Sequence, residues 1–576
     1  MIVAMFVKNT KIYKRTRFVP FTSKHHLTAF VGPNGAGKSS ILEALDTYFN
    51  NADWIVNKLA RKNGETTNFI NLPFIVPLFV MPKADFDAAH TAVQSKVDLS
   101  VVEAISDFMW NTGQLGSSSD INLFVAHRNQ LKTTFNQDDH YLLVSGVRFG
   151  IDRARPYFGP FHQQATFISA LGIQPSSGAT QLEKSKENDA AIGERVGNLN
   201  EVLQHLYDFV YIPSDVSIAS YTRLETTNMQ LLMGRDVNAE IAAAFPQKNL
   251  TAVNKSLEAT IAASVTGLPN YTYEKPKGGK KNITLHSLSR LITKEFFSIR
   301  ELSRLDNVGN STPVSHLSSG EQRRALMEVT SNYLIAKSAL HAHTILAIDE
   351  PEISLHTSLC FEQFETLFSV ANAGVQCLLT THWYGFLPIA QDGNAHFIQS
   401  VDDVVEIDSY DLSNYKEAST QKVGPTKGTM PFDVSLKSAN DLVQSIASSL
   451  RGERPYSWIL CEGSSENIYF SHMLSREVED GRLRIVPLGG VGEVLKVYRY
   501  LEVALSDKTF VSTGRVVAVI DTDEELLKYD ASKAPKSLSF SRLLLPDLGG
   551  ELKLVPIHSN HVSPATDIER CLNAEV

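Results

Sequence analysis

One segment of this chain has the residue types and spacing to hold a polyphosphate. Gly32-Pro-Asn-Gly-Ala-Gly-Lys38-Ser39 keeps the pattern G-x-x-x-x-G-K-[ST]. Gly32, Gly35 and Gly37 let successive backbone N–H groups converge on phosphate oxygens, and a helix opening at Ser39 adds the positive end of its dipole. Lys38 is placed to reach the β- and γ-phosphates of a nucleotide and Ser39 to hold Mg²⁺, with Asn34 and Ser40 completing the cradle.

Three later segments carry side chains that suit the same chemistry. Thr344-Ile-Leu-Ala-Ile-Asp-Glu-Pro351 is an apolar run ending in two carboxylates. Asp349 would help to hold the metal, and Glu350 would orient and activate water. An ordinary strand followed by an acidic turn looks the same in isolation; the glycine loop upstream gives these acids their meaning. His382 closes Thr380-Thr-His382 after the next apolar run, where an imidazole would sense the γ-phosphate. Leu317-Ser-Ser-Gly-Glu-Gln-Arg-Arg324 opens a helix. Its serines suit N-capping, and its place between the loop and Asp349 suggests a nucleotide role for Ser319, Gly320 and Glu321.

A second constellation lies near the end of the sequence. Trp458-Ile-Leu-Cys-Glu462-Gly463 puts a carboxylate at a strand end before a glycine turn, and Val516-Val-Ala-Val-Ile-Asp521-Thr-Asp523 puts two more at another. In a parallel sheet these ends share one edge, so Glu462, Asp521 and Asp523 can converge. Converging carboxylates repel unless a hard cation joins them, and Mg²⁺ (or Mn²⁺) prefers such oxygen ligands. Metal so held can activate water for phosphodiester cleavage. Glu569 is a further candidate ligand, and Glu466 and Glu524 are auxiliary acids. Acidic strand-end turns are common, so each motif alone says little. His558 and His561 lack nearby cysteines and are a poor zinc site. Gly489-Gly-Val-Gly492 reads as a turn before a helix.

The elements that must position these groups are legible from periodicity. Leu27–Val31 is a buried strand running into the glycine loop, and Ser39–Phe49 has helical spacing with Ile41, Leu42, Leu45 and Phe49 on one face. Strands are predicted at Phe74–Val80, Phe209–Pro213, Thr344–Ile348, Val375–Thr380, Trp458–Cys461, Arg484–Leu488 and Val516–Ile520. The region 85–206 reads as a largely helical insertion, with Gln174–Asp189 a polar loop inside it. A hairpin at 271–285 carries Lys275, Lys277, Lys280 and Lys281 at its tip; it suits phosphate backbone and a solvated loop equally well. No sustained heptads and no internal repeat are found.

Bulk properties narrow the classes. A length of 576 residues suggests roughly three or four domains. With 43% hydrophobic and 20% charged residues the composition is that of a globular protein. Four scattered cysteines argue against a disulfide framework and fit a reducing cytoplasm. No apolar stretch approaches the roughly 20 residues that span a bilayer, so no membrane partner is expected. A formal charge of −9 means that nucleic acid would need a local basic surface.

The order of glycine loop, LSSGE, IDEP and TTH resembles an ABC-type ATPase head of the kind found in repair and chromosome-maintenance ATPases, over residues 1–410. That resemblance implies a head-to-tail homodimer or higher homo-oligomer, each ATP held between Lys38 of one subunit and Ser319 of the other. No glutamine stands out for the Q-loop among Gln114, Gln130 and Gln137. Residues 451–576, after a linker at 411–450, resemble a TOPRIM domain in their Glu-then-Asp-x-Asp order. The predicted fold is therefore α/β: an ABC-type P-loop head with a helical insertion, then a Rossmann-like TOPRIM domain. The combination resembles the OLD (overcoming lysogenization defect) family of ATPase-nucleases, several of which act in bacterial anti-phage systems, retron-associated effectors among them. It implies ATP and Mg²⁺ as cofactors, nucleic acid (DNA first) as substrate, and a reverse transcriptase–RNA complex as a conceivable defence partner. The alternative is an ATP-driven scaffold or sensor that binds nucleic acid and whose tail engages a partner without catalysis. A topoisomerase or primase is disfavoured, since neither a tyrosine-bearing cleavage domain nor a zinc module is identifiable.

Overall fold

The computed structural model describes residues 1–58, 71–215 except 114 and 117, 247–265, 302–336 except 307 and 308, 343–414 except 388, 391, 402 and 403, 432–545 except 452–454, 481, 508 and 523–526, and 552–568 except 560–564, with a few isolated positions besides. The chain divides into two compact units, one formed by Met1–Phe209 with His343–Val576 and the other by Val210–Ala342.

Among the described residues, the first unit holds three sheets. One is antiparallel and joins β1 (Ile2–Lys8), β2 (Arg17–Pro20), β4 (Phe74–Pro82) and β5 (His140–Val144) in the order β2-β1-β4-β5, with β6 (Val147–Arg148) on β4. β1 and β4 are almost wholly buried, as their unbroken apolar sequences require.

The second sheet carries the nucleotide motifs. β3 (Leu27–Val31) lies between β11 (Gln376–Thr381) and β12 (Asn394–Val401), parallel to both, and β10 (Thr344–Asp349) runs parallel to β11 on its other side. β13 (Val404–Asp411) closes the β12 edge antiparallel. Asp208, first residue of β7 (Asp208–Ile212), donates its N–H to the His343 carbonyl beside β10. Every residue of β3, β10 and β11 is buried. The Gln376 amide staples this sheet to the first: it accepts from Ile2 N at 2.8 Å and donates to Ile2 O at 2.6 Å.

The third sheet has the order β15-β14-β16-β17-β18, from β14 (Ser457–Cys461), β15 (Leu483–Pro487), β16 (Val516–Ile520), β17 (Leu538–Leu544) and β18 (Lys553–Pro556). The first four are parallel and β18 is antiparallel. Helices Ser464–Met473 and Val491–Leu505 make the crossovers. Phe361 of helix Thr357–Asn372 packs its ring 5.5 Å from Trp458, and Glu365 of the same helix pairs with Arg484, so this sheet sits against the body that holds the nucleotide motifs.

Between Lys83 and Leu206 the chain is mainly helical, with β5 and β6 as its strands. The polar stretch expected to be a loop over Gln174–Asp189 is helical from Gln181. There Thr180 and Glu183 form a reciprocal capping box, and Ile192 and Val196 are buried farther along the helix. Phe432–Ser449, at the end of the expected linker, is also a helix. Ala439, Leu442, Val443 and Ile446 are buried along one stripe of it.

In the second unit, β8 (Ser303–Leu305) pairs with β9 (Ser311–Pro313), and helices Gln247–Val265 and Ser319–Ala336 are described. The lysine hairpin at 271–285 lies outside the described residues.

Candidate functional site

Parallel pairing puts the C-terminal ends of β3, β11 and β10 on one edge. Val31 stands in register with Thr381, and Thr380 with Asp349. The next residues in each strand direction are the glycine loop, His382 and Glu350, so register alone brings the loop to two motifs that lie more than 300 residues downstream.

Gly32 leaves β3 at a φ of +142°, and a Cβ there would collide with the carbonyl oxygen of Ile398 in β12. Only glycine lets the loop rise past that strand. Pro33, Asn34 and Gly35 form an exposed crest, while Lys38 and Ser40 are buried and Ser39 is half-buried. The helix Lys38–Phe49 follows, with Ile41, Leu42, Leu45 and Tyr48 in the core; Phe49 stacks on Phe209 at 5.1 Å.

Lys38 is only 4% exposed. Its ammonium donates to the carbonyl oxygens of Gly32 and Pro33, both at 3.0 Å, and stands 2.9 Å from His382 Nε2. Burial lowers its pKa, offset by the nearby carboxylates of Glu350, Asp349 and Glu352. His382 is pushed down to about 4, first by burial and then by the charges of Lys38 and Lys437. Near neutral pH it is therefore an uncharged imidazole, and Nε2 accepts from Lys38. Glu350 Oε1 lies 3.4 Å from the same nitrogen.

Thr380 joins the two acids. Its hydroxyl donates to Asp349 Oδ1, and its carbonyl and hydroxyl oxygens lie 3.0 and 3.1 Å from the Glu350 N–H. Those contacts hold Glu350 at a φ of +47°, a left-handed conformation that costs a non-glycine residue about 1–2 kcal/mol. Strained backbone of this kind is found at functional sites more often than elsewhere. Asp349, at the buried strand end, and Ser39, at the helix start, are hard oxygen donors of the kind that holds Mg²⁺.

Sequence reasoning overlooked several contributors. Glu352 accepts from the His382 N–H at 2.6 Å, and burial raises its pKa. Tyr13 donates its hydroxyl to the Gly37 carbonyl at 3.2 Å; with Lys14, Arg15, Arg17 and Asp120 it lines a cavity of about 390 Å³ on the flank of the loop. Lys437, Ser438 and Asp441, from the helix Phe432–Ser449, bond the backbone of His382 and Tyr384. Their apolar stripe at Ala439, Leu442, Val443 and Ile446 was a readable signal.

The LSSGE segment is described within its own unit. The Ser318 hydroxyl lies 3.4 Å from the Glu321 N–H, and Glu321 Oε2 accepts from the Ser318 N–H at 3.1 Å, forming a capping box. Arg304 pairs with Glu321 at 3.1 Å. Ser319 and Glu321 are exposed, with Gly320 half-buried between them. Gln130 and Gln137 are exposed; Gln114 lies outside the described residues.

In the tail, adjacent parallel strands β14 and β16 place Glu462 and Asp521 on one edge, and the Asp521 N–H donates to Glu462 Oε1 at 2.9 Å. The Glu462 carbonyl accepts from the N–H groups of Gly489 and Gly490, so the turn after β15 closes on the same point. Glu466 is spent on structure: its carboxylate accepts from the Gly463 N–H at 3.1 Å and caps the helix Ser464–Met473. Thr522 and Thr566 exchange two backbone bonds of 2.9 Å, which bring Asp567 alongside this strand end. Asp523, Glu524, His561 and Glu569 lie outside the described residues. Among the described residues no group of three or more His, Cys, Asp or Glu is arranged to hold a metal ion, and no helix is long and apolar enough to cross a membrane.

A family model described as an AAA ATPase domain matches residues 1–384. No curated protein matches the chain. Among solved structures it is similar to an SMC head bound to the C-winged helix domain of ScpA, at 13% identity over 71% of this chain and 98% of that one, with a TM-score of 0.31. It is also similar to an Smc head domain with an extended coiled coil bound to the C-terminal domain of ScpA from Pyrococcus furiosus, at 12% identity, 74% and 99% coverage and a TM-score of 0.33. The SMC head domain from Thermotoga maritima gives 13% identity, 71% and 99% coverage and a TM-score of 0.29.

Proposed function

Because this chain belongs to the AAA ATPase domain family over residues 1–384, we propose that it is an ATP-hydrolysing head of the ABC type fused to a metal-dependent nuclease tail. The Glu462–Asp521 bond supports the nuclease half: two acidic residues 59 positions apart lie at neighbouring parallel strand ends, where the Asp521 backbone N–H donates to the Glu462 carboxylate.

In the head, Lys38 and the loop N–H groups bind the phosphates, and the Tyr13–Arg17 cavity takes the nucleoside side. Ser39 and Asp349 are the oxygen donors for Mg²⁺, which when bound neutralises phosphate charge. Glu350, held by Thr380, orients water and accepts its proton, while neutral His382 supplies a hydrogen-bonding group at the terminal phosphate. Ser319, Gly320 and Glu321 of a second subunit complete each site, so ATP controls a homodimer.

In the tail, Glu462 and Asp521 offer adjacent hard oxygen ligands, a fitting donor set for Mg²⁺ or Mn²⁺, with Asp523 and Glu569 as further ligands. A metal there supplies Lewis acidity for phosphodiester cleavage. The substrate is nucleic acid, DNA first, and the biological setting is anti-phage defence.

The test is incubation of the purified protein with plasmid, linear DNA and RNA, with Mg²⁺ or Mn²⁺, with and without ATP. Cleavage lost in both Glu462→Ala and Asp521→Ala is expected. Undiminished cleavage by both variants rejects the nuclease, and full biological activity of Asp521→Ala favours a non-catalytic tail.

A further inference from the structure

We propose that Lys437 is a positioning residue for ATP hydrolysis, its ammonium anchoring the backbone of His382 and thereby setting the imidazole against Lys38 and Glu350. Lys437 Nζ donates to the His382 carbonyl at 2.6 Å and lies 5.0 Å from the centre of the Tyr384 ring. The rest of the helix Phe432–Ser449 grips the same turn. Asp441 accepts from the Tyr384 N–H at 3.0 Å, and the Ser438 hydroxyl donates to the Tyr384 carbonyl at 3.2 Å. Gly385 makes that seat possible, since a Cβ there would stand 2.9 Å from both Asp441 and Trp383.

Three polar groups on one helix thus bond the backbone of two residues, His382 and Tyr384, in the turn that presents His382. Ser438 and Asp441 are buried and fix the helix in place. Lys437 is exposed and adds nothing to the core, yet of these three groups it is the one that bonds the residue contacting the phosphate-binding lysine. A side chain that sets a catalytic group's position through one hydrogen bond affects turnover more than ground-state binding.

The inference rests on His382 acting at the terminal phosphate, and the experiment separates the two claims. Steady-state ATPase is measured for the full chain and for Lys437→Met, Lys437→Arg, His382→Ala and the Lys437→Met/His382→Ala double variant. Lys437→Met should lower kcat about tenfold with KM within about twofold. Lys437→Arg, which keeps a donor, should recover most of kcat. The double variant should be no slower than His382→Ala. A wild-type kcat in Lys437→Met, an effect on KM alone, no recovery in Lys437→Arg, or additive losses in the double variant would each overturn the role of Lys437. Normal hydrolysis by His382→Ala rejects the assignment of His382 itself, and the inference with it.

Discussion

Lys38 Nζ and His382 Nε2 stand 2.9 Å apart, although 344 positions separate them in the chain. The ammonium is buried, so its other partners are the loop's own carbonyl oxygens at Gly32 and Pro33. Replacing it with a neutral side chain removes the charge that the proposed function sets against the phosphates. Lys38→Met should weaken ATP binding roughly tenfold to a hundredfold, the worth of one hydrogen bond to a charged group. Titration with a fluorescent ATP analogue measures it; affinity within twofold of wild type refutes the placement.

Glu350, the proposed catalytic carboxylate, has a backbone φ of +47°. Glu350→Gln keeps size and strain but loses the proton acceptor. It should lower kcat by roughly 10²- to 10⁴-fold while ATP still binds, and ATP-bound dimers should accumulate on size exclusion. Glu350→Gly removes hydrolysis too, but relieves the left-handed strain. Its thermal midpoint should match or exceed that of Glu350→Gln, and a lower midpoint would show that the strain carries no cost.

The positions of these residues were legible because short motifs set them at strand ends. The strands Leu27–Val31 and Val516–Ile520 are observed with the bounds that alternation and apolar runs predicted. What escaped was contributed across long separations. Lys437 reaches His382 from 55 positions away, and its helix lies in a stretch whose Gly, Pro and Thr near 419–431 masked the apolar stripe that follows. Glu352 carries no motif of its own; only the fold of the turn after β10 sends it to the His382 N–H. The parallel register that joins Glu462 to Asp521 was expected from strand order, whereas the structural duty of Glu466 as a helix cap was not.

Two histidines make the fold sensitive to mild acid. His127 is buried on helix Ser119–Thr134 with Nε2 3.0 Å from the Val3 carbonyl, and burial pushes its pKa down to about 4. His382 is held at about 4 by burial and by Lys38 and Lys437. An unfolded histidine titrates near 6.5. Between these values the unfolded chain binds protons that the folded chain refuses, so stability is full above about pH 6.5 and falls as pH drops toward 4. His127 alone would contribute on the order of 3 kcal/mol across that window. Urea midpoints should be level from pH 8 to 7 and clearly lower at pH 5; a flat profile from 7 to 5 contradicts buried neutral histidines.

Two substitutions separate the hydrogen bond that Glu462 makes from the metal-binding role proposed for it. Its Oε1 accepts the Asp521 N–H, joining β14 to the turn after β16. Glu462→Gln retains a carbonyl oxygen for that bond but not the negative charge a metal requires; Glu462→Ala loses both. Glu462→Ala should therefore lower stability by about 1 kcal/mol, because the part-buried Asp521 N–H loses this acceptor, while Glu462→Gln should stay near wild type. Both should abolish Mn²⁺- or Mg²⁺-dependent cleavage of nucleic acid and leave ATP turnover unchanged, since Lys38, Glu350 and His382 sit on a different sheet. Chemical denaturation, plasmid nicking and phosphate release, run on the same preparations, distinguish the cases. Full cleavage by Glu462→Gln would mean that the carboxylate only ties the strand ends together, and the tail would then be a scaffold.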